Sequence, residues 1–344
     1  MKNLCIALSA GLLFASCSST NLMSLSVVQP APVTLPNYAK TVAVVNRTRA
    51  TNETRTVDAL HKAMSLESSN LQKEGARASM TGLADELMKN NRFSMVKPLT
   101  NLDLRSFGAG VFPSAMSWDT VEKICRDNNT DLLFSLELFD AETKAAVGQT
   151  ALGTMVGGVP ALAQQVNMTT LVKTGWRIYD PSSRNILDEY VLSRDLAFRG
   201  SPMAAASAII GHKEEVVKVG NQAGQAYAYR IMPYSVRVSR FYYVRGSSNF
   251  TVATRMARTG NWDGAAKLWQ QETTNASRKV AGRACYNMAI ISEINGDLNG
   301  AMAWAQKAYE NYNNRLALSY VNVLRNRQSN DAVLKEQTEV SSNP

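Results

Sequence analysis

Asp131-Leu132-Leu133-Phe134-Ser135-Leu136-Glu137-Leu138 reads as a β-strand set inside a sheet. Leu132, Phe134, Leu136 and Leu138 fall on one face, with Ser135 and Glu137 opposite. Upstream, Thr41-Val42-Ala43-Val44-Val45 is a β-rich run almost without polar residues, typical of a strand covered on both faces. Between these two strands a helical pattern runs from about Ser69 to Asn90, through Leu71, Ala78, Leu83, Leu87 and Met88. Arg92-Phe93-Ser94-Met95-Val96 is a short strand ended by Pro98. Trp118, Val121, Ile124 and Cys125 then share one face of a helix from about Ser117 to Asn128. Downstream, Val166–Tyr179 and Ile186–Leu192 read as strands joined by the turn Asp180-Pro181-Ser182-Ser183-Arg184-Asn185. A long helix from about Met203 to Ile231 closes the region before Pro233, its apolar pattern weakened by Gly211, Gly220 and Gly224. The order β-α-β-α-β-β-β-α predicts an α/β (α+β) domain over residues 38–245, with helices packed on a mixed sheet.

The C-terminal part has a different period. Gly260-Asn261-Trp262-Asp263-Gly264-Ala265-Ala266 aligns with Gly296-Asp297-Leu298-Asn299-Gly300-Ala301-Met302, a separation of 36. Ala284-Cys285-Tyr286-Asn287-Met288-Ala289 begins a helix that the second Gly-Asp ends, and Leu316–Arg327 is expected to cap the stack. Ala289, Ala301 and Ala308 are small where paired helices approach, and Gly260 and Gly296 sit where a turn needs a left-handed residue. The pattern resembles the tetratricopeptide repeat, with a period of about 34 and two antiparallel helices per unit. Cys285 and Ser292 stand where that family carries larger aromatic residues, so the packing is degenerate. The expectation is an all-α tetratricopeptide-like helical repeat module over 246–328, followed by a disordered tail, 329–344. The resemblance also implies a peptide-binding role for Asn287, with Arg283 and Lys279 one and two turns earlier on the same face.

The chain opens with Met1-Lys2-Asn3, about a dozen mostly apolar residues, then Leu12-Leu13-Phe14-Ala15-Ser16-Cys17. The apolar stretch is too short to cross a bilayer and reads as a signal peptide, residues 1–16. The residues before Cys17 resemble the lipobox of bacterial lipoproteins. That resemblance implies cleavage before Cys17, acylation of its thiol and amine, and, because Ser18 follows, an outer-membrane location. Residues 17–37 lack charge and hold Pro30, Pro32 and Pro36, so they are expected to form an extended lipid-anchored tether.

The strand Thr41–Val45, the Arg92–Val96 strand, Thr130-Asp131-Leu132-Leu133 and Trp176-Arg177-Ile178-Tyr179-Asp180 are similar to one sheet domain. It is the one shared by curli-secretion channel lipoproteins and penicillin-binding-protein activator lipoproteins. The similarity covers about 38–200 and rests on element order and strand character. In curli-type channels, insertions in this domain become membrane hairpins. Ala145–Val172 holds no charged residue in 28 positions. Its alternation is broken by Ala145-Ala146, Gly157-Gly158 and Pro160, so a loop or flap on the sheet is expected there.

Lys and Arg number 37 against 28 Asp and Glu, a net charge of +9. From Met232 to Asn330 there are 13 Lys/Arg and 5 Asp/Glu. A basic C-terminal half points to an acidic partner: an envelope protein or peptide, headgroups or a glycan, with no role for nucleic acid in an exported protein. Cys125 and Cys285 lie in helical patterns and are expected to be buried free thiols. With His61 and His212 they show no ligand spacing, so no metal site is expected, and neither histidine has a nucleophile partner. No catalytic residue and no cofactor are assigned. Arg230-Ile231-Met232-Pro233-Tyr234 and Arg240-Phe241-Tyr242-Tyr243 read as a packing strip between the two halves. The expectation is a lipid-anchored, non-catalytic envelope scaffold for protein interaction or assembly. The alternatives are a subunit of an oligomeric outer-membrane secretion channel and, behind it, a hydrolase.

Overall fold

The computed structural model describes residues 19–48, 59–89, 92–100, 102, 104, 112–156 and 159–342. Side chains of 59–69, 145–165, 202–212 and 339–342 are outside this description. Two compact units result, one of residues 31–233 with 337–342 and one of residues 19–30 with 234–336.

The first unit is the α/β domain. Its strands are β2 (Thr41–Asn46), β3 (Met95–Leu99), β4 (Leu132–Val156), β5 (Val159–Asp180) and β6 (Asn185–Gly200), in spatial order β3-β2-β4-β5-β6. β2 runs parallel to β3 and β4, whereas β4–β5 and β5–β6 are antiparallel, so the sheet is mixed. Its helices are α1 (Ala59–Met88), α2 (Trp118–Asn128) and α3 (Pro202–Ala228). Pro98 lies within β3, an edge strand, where its missing N–H costs no ladder bond. Asp131 ties the two central strands together, its Oδ2 accepting from the backbone N–H groups of Lys40 and Thr41 at 2.8 Å each.

Both faces of β2 and β4 are covered, as their apolar runs require. Val42, Val44, Phe134, Leu136, Trp176 and Ile178 pack with Leu83, Leu87 and Val216 of α1 and α3. Ala43, Val45, Leu133 and Tyr179 pack with Val121, Ile124 and Cys125 of α2. The glycines that weaken the α3 pattern have a steric reason. A Cβ on Gly224 would stand 1.9 Å from the Ser79 carbonyl oxygen, so α1 and α3 touch backbone to backbone. Ser79 Oγ donates to the Gly220 carbonyl at 2.8 Å across the same contact.

Two sequence expectations in this unit are corrected. The parity of β4 breaks at Glu137, where the register shifts between Leu136 and Leu138. After this bulge Phe139 and Ala141, not Leu138, face the α1–α3 core. The uncharged segment 145–172 is not a loop. β4 and β5 continue through it as one antiparallel pair, with a second shift between Ala151 and Met155 and a last pair Val156↔Val159. β6 accompanies β5 only as far as Val166↔Gly200.

The second unit holds β1 (Thr20–Gln29), β7 (Tyr234–Tyr243) and helices α4 (Ser248–Arg258), α5 (Trp262–Glu272), α6 (Arg278–Ile294), α7 (Leu298–Glu310) and most of α8 (Arg315–Ser342). The segment read as a tether therefore contains a ten-residue strand, paired antiparallel with β7 from Thr20↔Tyr243 to Gln29↔Tyr234. The reason lies in its period of two: Met23, Leu25 and Val27 alternate with Ser24 and Ser26, and Val27 is buried. The division by contacts falls at residues 233 and 234, so β7 belongs with the helices. The expected disordered tail is also corrected, because α8 continues to Ser342. No Gly or Pro interrupts residues 315–342, and Gln337, buried, accepts from Ala31 N at 2.8 Å and donates to Thr34 Oγ1 at 2.8 Å.

The arginines of the expected packing strip are taken up inside their own units. Arg230 makes a bidentate pair with Asp188, both bonds 2.8 Å, and stacks 3.7 Å from the Tyr190 ring centroid. Arg240 pairs with Glu293.

Candidate functional site

The repeated Gly-Asn/Asp motif builds the same turn twice. Gly260 and Gly296 have φ of +81° and +79°, the left-handed region in which a Cβ is strained. Asn261 and Asp297 then cap α5 and α7, each side chain accepting from a glycine N–H three residues on, Gly264 at 2.9 Å and Gly300 at 2.8 Å. A Cβ on Gly300 would meet Asp297 Oδ2 at 2.0 Å, so a side chain there would make the cap carboxylate shift. Ala289, Ala301 and Ala308 are fully buried, the close approach their size predicted. Cys285 packs among them, and Cys125 and Cys285 are both buried free thiols. Burial pushes the Cys125 thiol up to about 11.

Asn287 is completely buried, and its amide holds both backbone groups of one residue of this same chain. The Tyr243 N–H donates to Asn287 Oδ1 at 2.7 Å, and Asn287 Nδ2 donates to the Tyr243 carbonyl at 2.7 Å. Arg283 donates to the Arg245 carbonyl at 2.7 Å and lies 5.0 Å from the Tyr243 ring centroid. The Tyr243 hydroxyl donates to Asn314 Oδ1 at 3.1 Å, and Asn314 Nδ2 donates to the Gly282 carbonyl at 3.2 Å. Arg283 and Asn287 thus come together as their helical spacing predicts, and the backbone they hold is Tyr243–Arg245. Lys279 is exposed on the same helix, without a side-chain bond in this cluster. Cys17 lies outside the described residues.

A buried carboxylate anchors the other end of α6. Glu293 accepts from Arg240 through two bonds of 2.8 Å, from Arg327 at 2.6 Å and from the Tyr320 hydroxyl. Burial raises a carboxyl pKa, but the hydrogen bonds of Arg240, Tyr320 and Arg327, with the charge of Arg240, hold Glu293 below its ordinary value. Burial and the Glu293 charge raise the Tyr320 hydroxyl.

In the α/β unit the bulged Glu137 forms a second buried cluster that sequence reasoning missed. It accepts from Arg47 at 2.6 Å and from the Tyr179 hydroxyl at 2.8 Å, with Arg177 Nη1 3.8 Å away. Here burial outweighs the neighbouring positive charges and raises the Glu137 carboxyl, and it pushes the Tyr179 hydroxyl up to about 12. Only the polar residue inside an apolar strand hinted at it. A groove of about 780 Å³ runs between α1 and α3, lined by Glu74, Arg77, Lys213, Asn221 and Gln225. Lys213 and Glu74 pair across it at 2.8 Å. Among the described residues no group of three or more His, Cys, Asp or Glu side chains is placed to hold a metal ion. No helix among them is long and apolar enough to cross a membrane.

No curated protein matches the chain. Among solved structures it is similar to the PelC dodecamer from Paraburkholderia phytofirmans, at 14% identity over 61% of this chain and 97% of that one, with a TM-score of 0.23. It is also similar to a neuraminyllactose-binding hemagglutinin homolog from Helicobacter pylori, at 11% identity over 66% of this chain and 94% of that one, with a TM-score of 0.25. Residues 251–326 match DUF6340, a domain of unknown function. Residues 39–243 match a second domain of unknown function, DUF8603, and since that match spans more than half of its length the chain belongs to the DUF8603 family.

Proposed function

We propose that this chain is a non-catalytic protein of the bacterial cell envelope, anchored by lipid at Cys17 in the outer membrane, that acts as an assembly scaffold. The observation that supports it is the Asn287 clamp. Helical hairpins hold an extended backbone by reading both the N–H and the C=O of one residue, and that residue, Tyr243, ends the chain's own β7. The clamp therefore presents the β1–β7 ribbon. On the ribbon's outer side the register pair Leu22↔Phe241 is 56% and 47% exposed, with Val28 and Arg237 exposed on the same face. An apolar pair with an arginine further along the same face suits an envelope protein or peptide that offers apolar and acidic groups.

The test is a photo-crosslinking residue at position 241 in cells, with fractionation of a Cys17→Ala variant. The expected results are a discrete crosslinked partner, lost on Leu22→Glu, and release of Cys17→Ala from the membrane fraction. Membrane retention of Cys17→Ala contradicts the anchor, and a crosslink unchanged by Leu22→Glu contradicts the ribbon.

A second reading is a subunit of an oligomeric outer-membrane channel. The continuous pairing of β4 and β5 through the uncharged 145–172 segment favours it, since each arm exceeds the 9–11 residues or so that a membrane-crossing strand needs. Solution mass of the protein without lipid separates the two: a large ring supports the channel, and a monomer opposes it.

A further inference from the structure

The helical unit exposes Arg245, Lys279 and Arg315, and Arg245 lies next to the residue that receives the start of β1. The Ser19 carbonyl accepts from Val244 N at 3.0 Å, so the N-terminal strand enters the unit beside Arg245. Cys17 is two residues ahead of Ser19, a reach of at most about 7 Å. That distance is inside the Debye length of about 8 Å at physiological salt. Charges at the entry point of β1 therefore feel whatever surface receives a lipid on Cys17.

Exposed basic residues lie next in sequence or one helical turn from residues that bond Tyr243–Arg245, on three elements. Arg245 follows β7 and is exposed. On α6, Lys279 is exposed one turn before Arg283, which holds the Arg245 carbonyl, and Arg278 beside it donates to the Asn311 carbonyl. Arg315 opens α8 directly after Asn314, which accepts the Tyr243 hydroxyl, and is exposed. The neighbouring acids are Glu310, exposed, and Glu272. Glu272 is buried, and its oxygens are taken by Ser247, Asn249 and Asn275.

We propose that Arg245, Lys279 and Arg315 form a docking surface for anionic phospholipid headgroups, in the leaflet that receives the acyl chains of Cys17. The inference rests on the acylation of Cys17 proposed above. It adds that the helical unit lies against the membrane, as a second attachment beside the lipid. A basic patch beside a lipid anchor adds electrostatic attraction to anionic headgroups, about 1 kcal/mol for each basic side chain near the surface.

The test uses the full chain with Cys17→Ser, which carries no lipid, sedimented with phosphatidylcholine vesicles with or without added phosphatidylglycerol. The parent is expected to prefer the anionic vesicles and to lose that preference as salt rises. Arg245→Gln, Lys279→Gln and Arg315→Gln together are expected to reduce anionic binding by on the order of a hundredfold, about fivefold for each charge. Removing an equal charge from the α/β unit, with Lys123→Gln, Arg126→Gln and Arg194→Gln, is expected to leave it unchanged. Equal binding to both vesicle types, or an equal loss in the two triple variants, would overturn the proposal. So would capture by a polyglutamate resin without binding to anionic vesicles, which reassigns the surface to an acidic peptide. Mass spectrometry of Cys17 in the wild-type chain is read separately: an unmodified thiol refutes the anchor, while vesicle binding alone decides the surface.

Discussion

Replacing Asn287 by alanine removes both hydrogen bonds to Tyr243 and leaves that residue's N–H and C=O facing a cavity in the helical unit. Each bond is worth about 1 kcal/mol net, and a buried group left without a partner costs about 1–3 kcal/mol, so local opening at Tyr243 becomes easier by about 2–3 kcal/mol. That corresponds to roughly 30- to 150-fold faster exchange of the Tyr243 amide. Hydrogen exchange read by mass spectrometry on a peptide spanning 236–246 measures it directly, with a peptide inside β4 as the internal control. Asn287→Asp sharpens the reading, because a carboxylate accepts from the Tyr243 N–H but cannot donate to its carbonyl. It should not restore protection. Exchange at Tyr243 changed less than threefold or so by Asn287→Ala would refute the clamp, because two lost bonds cannot cost so little.

Glu293→Gln leaves Arg240 and Arg327 without their carboxylate and should destabilise the helical unit by about 3 kcal/mol or more, measured by urea unfolding. Because its folded pKa is held down, Glu293 stabilises fully above the ordinary carboxylate range, and that contribution fades as pH falls through the lowered value. The wild type should therefore lose stability on acidification below about pH 4.5 more steeply than the glutamine variant. Gly296→Ala places a Cβ at φ +79° and should cost about 1 kcal/mol, seen as a lower melting temperature, with Gly260→Ala behaving alike. Gly224→Leu should separate α1 from α3, costing about 1–3 kcal/mol or more and exposing Trp176 and Tyr227, which stack at 5.2 Å; a red shift of tryptophan fluorescence reports it.

The order of elements in the α/β unit was legible because its signals are local. A period near 3.6 marks α2, an unbroken Val/Ala run marks β2, and Ser117 caps a helix whose first turn carries Asp119. The Gly260 and Gly296 turns were legible for the same reason, since each cap and its glycine lie within five residues. The strand β1 was masked by its surroundings: an uncharged stretch with prolines at 30, 32 and 36 reads as a linker, although the strand ends before the first of them. The bulge at Glu137 has no sequence signature beyond one polar residue, yet it exchanges the faces of the residues that follow, so that Phe139 and Ala141 turn to the core. The occupant of the Asn287 clamp was out of reach for another reason. Tyr243 is 44 positions away, and no periodicity within a helix records what a distant strand will place against it.

The direction of the β1–β7 pairing has a mechanical consequence. Thr20 opposes Tyr243, so a pull on the N-terminal end of β1, resisted where α6 grips Tyr243, acts across the ladder rather than along it. Bonds then break one pair at a time, as a zipper opens, instead of all resisting together in shear. Complete release of the ten residues adds roughly 33 Å of slack, so the ribbon can act as a spool that lengthens the leash under tension and rewinds when the tension ends.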